Sequence, residues 1–146
     1  MLRILKRRNT PSAILYAALR TIVRHADIHA LCIGPTCGTY PASVTTLGIF
    51  KNPHFSGSLS YGGSACYDDG SFKIRLYERL HTLGLLRLLA ALSEGREFAH
   101  RACKAWDCSF FVVSSKTPFT VEFDGEVVSA REAEFSVLPK YIRVCP

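Results

Sequence analysis

A succession of short apolar segments after residue 26, separated by turn residues, constrains the fold most strongly. In Phe72-Lys-Ile-Arg-Leu-Tyr77, Phe, Ile and Leu alternate with Lys and Arg, as expected for a strand with one buried face. Asp124-Gly125 lies between two such segments, which is typical of a tight β-hairpin. Further strands are expected at Ile28–Ile33, Ser43–Phe50, Cys103–Ser114, Glu134–Leu138 and Tyr141–Cys145. The pattern predicts a domain built mainly of β-strands.

Two segments have helical periodicity instead. Thr10-Pro11 is a typical helix start, and apolar residues then recur at helical spacing as far as Arg24. The second segment, Leu83–Leu92, is strongly apolar and is followed by Gly95, a common residue after a helix end. We therefore predict a mainly β (α+β) fold with an N-terminal amphipathic helix and one further helix.

The positive charge is concentrated at the N-terminus. The net charge is +6, and six Lys and Arg side chains precede the first acid, Asp27. This separates a basic helical segment, residues 1–26, from a neutral β domain, residues 27–146. The basic helix face is either solvated or in contact with anionic lipid headgroups. Nucleic-acid binding is not expected, because Tyr16 is the only aromatic residue within the basic segment.

The chain is expected to be cytoplasmic. Its start lacks the long apolar region and cleavage site of a signal peptide, and no apolar run approaches the ~20 residues that span a bilayer. The six cysteines include two C-x4-C spacings, at 32–37 and 103–108, which differ from the closer spacing of most zinc sites. We expect reduced, mostly structural cysteines; a metal or redox pair is the alternative.

Two acidic clusters are candidates for chemistry. Asp68-Asp69-Gly70 is either a turn stabilised by local hydrogen bonds or part of a hard-cation site. Asp124-Gly125-Glu126 is either a solvated hairpin turn or a place where a carboxylate is held for general-base catalysis. Glu94-Gly95 is most simply a helix end. The glycine-rich phosphate-binding motifs and the common hydrolase motifs are absent from the sequence.

The order of several motifs is more specific than any one of them. Gly48-Ile-Phe-Lys-Asn52, with His54 and Gly57, is followed by Ala65-Cys-Tyr-Asp-Asp-Gly70 and then by an apolar helix. Val121-Glu-Phe-Asp-Gly-Glu126 and Val137-Leu-Pro-Lys-Tyr-Ile-Arg-Val144 come last. This arrangement resembles the C-terminal domain of the bacterial diacylglycerol kinase and sphingosine kinase-like lipid kinases.

The resemblance implies a β-sandwich-like domain that packs against a nucleotide-binding domain and takes part in ATP-dependent phosphorylation of a lipid hydroxyl. It implies that Glu126 is the proton acceptor, with Asp124 beside it. It also implies a Mg²⁺ site formed by the side chain of Asp69 and the backbone carbonyls of Cys66 and Ser71. Backbone ligands would explain why cysteine and serine stand at these positions.

The sequence departs from the family in one large respect. The Gly-Gly-Asp-Gly-Thr motif of the nucleotide-binding half is absent from these residues. We therefore expect no lipid phosphorylation by this chain alone, and expect ATP as co-substrate only with a nucleotide-binding partner chain or domain. Peripheral contact with a membrane surface is also expected. The alternatives are a non-catalytic lipid- or protein-binding module, and an orphan domain that oligomerises through its uncovered surface.

Overall fold

A computed structural model describes residues 26–55, 59–63 and 68–138 of the chain. It contains eight strands and one helix, α1, within these residues. The elements are β1 (Ile28–Gly34), β2 (Gly38–Phe50), β3 (His54–Phe55), β4 (Leu59–Ser60), β5 (Phe72–Glu78), α1 (Thr82–Ser93), β6 (Cys103–Cys108), β7 (Phe110–Phe123) and β8 (Glu126–Ser136). The helix predicted from Thr10 to Arg24 and the strand predicted at Tyr141–Cys145 lie outside the described residues.

Six strands form one antiparallel sheet in the order β6-β5-β2-β1-β7-β8, and β3 and β4 form a separate two-stranded ribbon. The mainly β fold predicted from the sequence is thus confirmed. Between Ser114 and Phe119 the pairing of β7 with β8 shifts, because residues 115–118 face only Arg131. In the described part of the chain, no helix is long and apolar enough to cross a bilayer.

The connection between β6 and β7 shows that the sheet is strongly curved. The two strands are joined by Ser109 alone. In a flat sheet, four strand spacings, about 19 Å, would separate these two strands. A single linking residue spans at most about 7 Å. Strands β6 and β7 therefore lie close together there, and the Thr36 hydroxyl, in the turn between β1 and β2, donates to the Asp107 carbonyl of β6 at 2.7 Å. A single curled sheet accordingly supplies both layers of the sandwich-like arrangement.

Two hydrophobic clusters stabilise the fold. The first lies within the curve of the sheet and includes Cys32, Ile74, Leu76 and Phe111, all of which are fully buried. The second lies between the sheet and α1, where Tyr77 and Leu80 pack against leucines of the helix. The alternation predicted for Phe72–Tyr77 explains both: Phe72, Ile74 and Leu76 belong to the first cluster and Tyr77 belongs to the second.

Several elements extend further than the sequence pattern indicated. Strand β2 begins at Gly38 and not at Ser43, and the short segments predicted around Asp124-Gly125 are the ends of the long strands β7 and β8. The segment Lys51–Gly63, predicted to be a polar loop, contains the β3–β4 ribbon. In each case, pairing with another strand extends or stabilises the strand. The residue preferences of the segment itself do not indicate this pairing.

Candidate functional site

The turn between β7 and β8 carries the predicted catalytic acids. Asp124 has a φ of 49° and Gly125 a φ of 82°, so both central residues of this two-residue loop are in the left-handed region, as in a type I′ turn. Phe123 pairs directly with Glu126. The hairpin predicted from Asp124-Gly125 is therefore confirmed, and it places Glu126 at the first position of β8.

An apolar row leads along one face of this hairpin to Glu126. Val121 pairs with Val128, and Phe119 pairs with Ala130. Directly opposed residues of an antiparallel pair point to the same face, as do alternate residues of one strand. Phe119, Val121, Phe123 and their partners hence share a face with Glu126. The side chain of Phe123 is 52% exposed, so the end of the row beside the carboxylate is open to solvent.

Strand β1 begins only at Ile28 and so leaves a cleft beside the hairpin. Ile28, its first residue, pairs with Val44, and Ala30 pairs with Ser115 of β7. Strands β2 and β7 both continue beyond this point, to Phe50 and Phe123. No strand lies between these extensions in the described structure, and the gap forms a cleft of about 270 Å³.

The cleft is lined mainly by aliphatic and aromatic side chains, with threonines at its polar positions. Its lining residues are Ile28, Ala30, Val44, Thr45, Thr46, Leu47, Ile49, Val113, Phe119, Thr120, Val121, Glu122 and Phe135. Phe119 and Val121 belong both to the cleft and to the apolar row of the hairpin. Among these residues Glu122 alone carries a charge, whereas Asp124 and Glu126 lie beyond the cleft at the hairpin end.

Sequence reasoning did not single out Glu122, although it lies within the motif quoted above. Strand alternation places its side chain on the hairpin face opposite to that of Val121 and Phe123. The proximity of Glu122 to the cleft depends on the gap between β2 and β7, and this gap depends on where β1 begins. The motif itself does not indicate that Glu122 lies beside a cleft.

The predicted metal ligands Asp69 and Ser71 lie in the turn before β5. The Asp69 carboxylate accepts a hydrogen bond from the Ser71 backbone N–H at 3.0 Å and a second from the Lys51 ammonium. Lys51 also donates to the Ser71 backbone carbonyl, at 2.5 Å. The Lys51 hydrogen bond, followed by that of Ser71, lowers the pKa of Asp69 to about 2. Cys66, the third predicted ligand, lies outside the described residues.

The two predicted groups lie at the same end of the sheet. Strand β7 runs antiparallel to β1, and so does β2. The end of β2, where Lys51 follows Phe50, is therefore on the same side as the β7–β8 turn. Strand β5 begins opposite the end of β2, since Phe50 pairs with Lys73. The fold thus brings Asp69 and Ser71 to the end of the sheet that carries Asp124 and Glu126.

Comparison with solved structures identifies proteins of the same fold. A diacylglycerol kinase from Bacillus anthracis str. Sterne superimposes with a TM-score of 0.63 over 84% of this chain, at 9% sequence identity. The chain shares its fold with bacterial diacylglycerol kinases. Two further chains from this bacterium, to which the same activity has been assigned, give TM-scores of 0.61 and 0.60 at 11% and 14% identity, over 82% and 81% of this chain.

The region that this chain matches is only part of each of those proteins. This chain corresponds to 44%, 40% and 41% of the three kinase chains, so it spans less than half of their length. In sequence, neither a protein-family model nor a curated protein matches it. The resemblance predicted from the ordered motifs is confirmed at the level of the fold, since identities of this size carry information on fold alone.

Proposed function

We propose that this chain is the lipid-acceptor and catalytic-base part of a diacylglycerol kinase-like enzyme. The observation that carries the proposal is the continuous apolar path from the cleft along Phe119, Val121 and Phe123 to Glu126. It offers an acyl chain an apolar surface and sets a carboxylate at its exposed end. The likeness in fold to diacylglycerol kinases supports this reading of the path.

In the proposed reaction, a lipid lies with its acyl part along the cleft and its hydroxyl at the hairpin turn. The carboxylate of Glu126 takes the hydroxyl proton as the hydroxyl oxygen forms a bond to the γ-phosphorus of ATP. The bond between this phosphorus and its bridging oxygen breaks, and ADP leaves. Asp124 lies in the same turn, two residues before Glu126.

The nucleotide would come from a second domain or partner chain that packs against this end of the sheet. Magnesium bound with ATP would neutralise charge on the phosphate groups, as phosphoryl transfer requires. We further propose a cytoplasmic protein in peripheral contact with the membrane that holds its lipid. On this proposal the isolated chain binds lipid and does not phosphorylate it.

The experiment combines this chain, by fusion or in trans, with the nucleotide-binding domain of a related kinase and measures phosphate transfer to diacylglycerol in mixed micelles. Glu126→Gln keeps the size of the side chain and removes the base, so transfer should fall by a factor on the order of 10² to 10⁴. Glu134→Gln, at another exposed position of β8, is the matched control and should leave transfer unchanged. Full activity of the Glu126→Gln protein would refute the assigned role.

A non-catalytic lipid-binding module is the second candidate, and the cleft favours it equally because lipid binding needs no base. The two candidates differ in the reconstituted assay. A module would bind micelles through the cleft and give no transfer with any nucleotide-binding domain. Liposome sedimentation measures the binding separately, and Val121→Asp, which places a charge in the cleft, should weaken it in either case.

A further inference from the structure

Lys51 occupies the position that the family resemblance assigns to a metal ion. The resemblance names the Asp69 carboxylate and the Ser71 backbone carbonyl as ligands of Mg²⁺. In the structure both of these oxygens accept hydrogen bonds from one group, the Lys51 ammonium. A cation is therefore already present between the two oxygens, and it belongs to the chain itself.

This arrangement does not fit a divalent ion. Magnesium requires oxygen ligands at about 2.0–2.1 Å in octahedral geometry, so an ion on the same two oxygens would lie against the Lys51 ammonium. The two positive charges would repel each other strongly at that separation.

The fold holds Lys51 in this position. It follows Phe50, which pairs with Lys73 at the start of β5, so the register of β2 with β5 brings its side chain to the turn that precedes β5. The ammonium is partly buried, with 28% of the side chain exposed, against 35% for Asp69. The Ser71 N–H orients the carboxylate from within the turn. The two acceptors that the Lys51 ammonium shares distinguish this pair from an ordinary surface ion pair.

We propose that Lys51 replaces the divalent cation at this turn, and that the turn before β5 is held without metal. The ammonium provides the positive charge that joins the end of β2 to the start of β5. The turn is therefore in place whether or not magnesium is present. This inference is independent of the proposed kinase role and holds equally for a non-catalytic binding module.

The test measures the thermal stability of the full chain in EDTA and in millimolar MgCl₂. The wild-type Tm should be the same in both, and calorimetric titration with MgCl₂ should detect no binding. Lys51→Met, which keeps an unbranched chain of similar length without the charge, should lower the Tm in EDTA by several degrees. Lys51→Arg should retain most of the wild-type Tm.

Lys73→Met is the matched control. Lys73 lies on the neighbouring strand, and its ammonium is 3.9 Å from the Asp107 carboxylate, whose side chain is 60% exposed, so its loss should leave the Tm almost unchanged. A wild-type Tm that rises with MgCl₂, or saturable magnesium binding by the wild-type chain, would overturn the proposal. So would a Lys51→Met protein as stable as wild type in EDTA. The wild-type measurements decide the question even if a variant fails to fold.

Discussion

The hydroxyl oxygen of Tyr61 lies 2.4 Å from the position that a β-carbon on Gly48 would occupy. The ring of Tyr61 stacks on Phe50 at a centroid distance of 4.6 Å and on Phe55 at 5.0 Å. A residue of the segment after β4 is thus packed onto β2 at a point where only glycine leaves room. This contact connects the β3–β4 ribbon to the sheet.

Gly48→Ala should destabilise the protein, because the added methyl group overlaps Tyr61 and the stacked rings restrict its retreat. Overpacking of this kind costs about 1–3 kcal/mol, measurable as a lower midpoint in urea unfolding. Gly84→Ala is the control: it lies in α1, and its nearest neighbour is a terminal methyl carbon of Leu80, at the longer distance of 3.2 Å. There the better helix propensity of alanine offsets the tight contact. Equal loss in both variants would contradict the interpretation.

Alkaline pH should weaken the fold through Tyr61. Burial raises the pKa of Tyr61 to about 12 from its ordinary value of 10.0. A raised pKa in the folded state means that the contribution to stability is complete below pH 10 and is lost as the pH rises towards 12. Tyr61→Phe keeps the ring and removes the titrating group.

The measurement compares the free energy of unfolding of wild type and Tyr61→Phe across this range. Their difference should shift in favour of the variant by up to about 2 kcal/mol between pH 10 and pH 12. The comparison is needed because other groups titrate there too: burial also raises the pKa of Cys32, to about 11. A constant difference between the two proteins would show that Tyr61 is not the group responsible.

Two substitutions in the β7–β8 turn test separately how its backbone conformation and its charge affect stability. Gly125 has a positive φ, and nothing lies within 4 Å of the position of an added β-carbon, so Gly125→Ala should cost only the backbone penalty, about 1 kcal/mol. Asparagine tolerates the left-handed region that Asp124 occupies. Asp124→Asn should therefore leave the free energy of unfolding within about 0.5 kcal/mol of wild type. A large loss in Asp124→Asn would mean that its carboxylate stabilises the turn.

The cysteines should react with thiol reagents in an order set by burial. Cys32 and Cys108 are buried, while Cys37 and Cys103 are partly exposed, and all four are unpaired. Burial also raises the pKa of Cys37 and Cys103, which lowers their thiolate fraction near neutral pH. Brief alkylation of the native protein followed by mass spectrometry should label Cys37 and Cys103 slowly, and Cys32 and Cys108 only after denaturation. Rapid native labelling of Cys32 would contradict its place in the core.

Two of the four described cysteines, Cys32 and Cys108, are buried as expected for structural cysteines. Cys32 lies between the apolar residues Leu31 and Ile33 in the sequence and is fully buried in the main cluster. Cys108 has the same role, although its neighbours Asp107 and Ser109 are polar. Strand pairing explains the difference: Cys108 is directly opposite Phe72 and shares its face, and Phe72 belongs to the main cluster. The burial of Cys108 can be recognised in the sequence only after the strand and its buried face have been identified.

The sequence by itself determined the local elements: the alternating strand Phe72–Tyr77, the Asp124-Gly125 turn and the helix that ends before Gly95. Each depends on residues close together in the chain, whose side-chain period or backbone freedom admits few conformations. The ordered motifs were also sufficient to indicate the fold shared with diacylglycerol kinases. Three features were decided only by the tertiary structure: the curl of the sheet, the cleft between β2 and β7, and the cation at Asp69. They arise because the pairing of strands brings together residues that are distant in sequence, such as Lys51 with Ser71 and Gly48 with Tyr61. The local residue preferences of one segment do not specify which other segment it will contact.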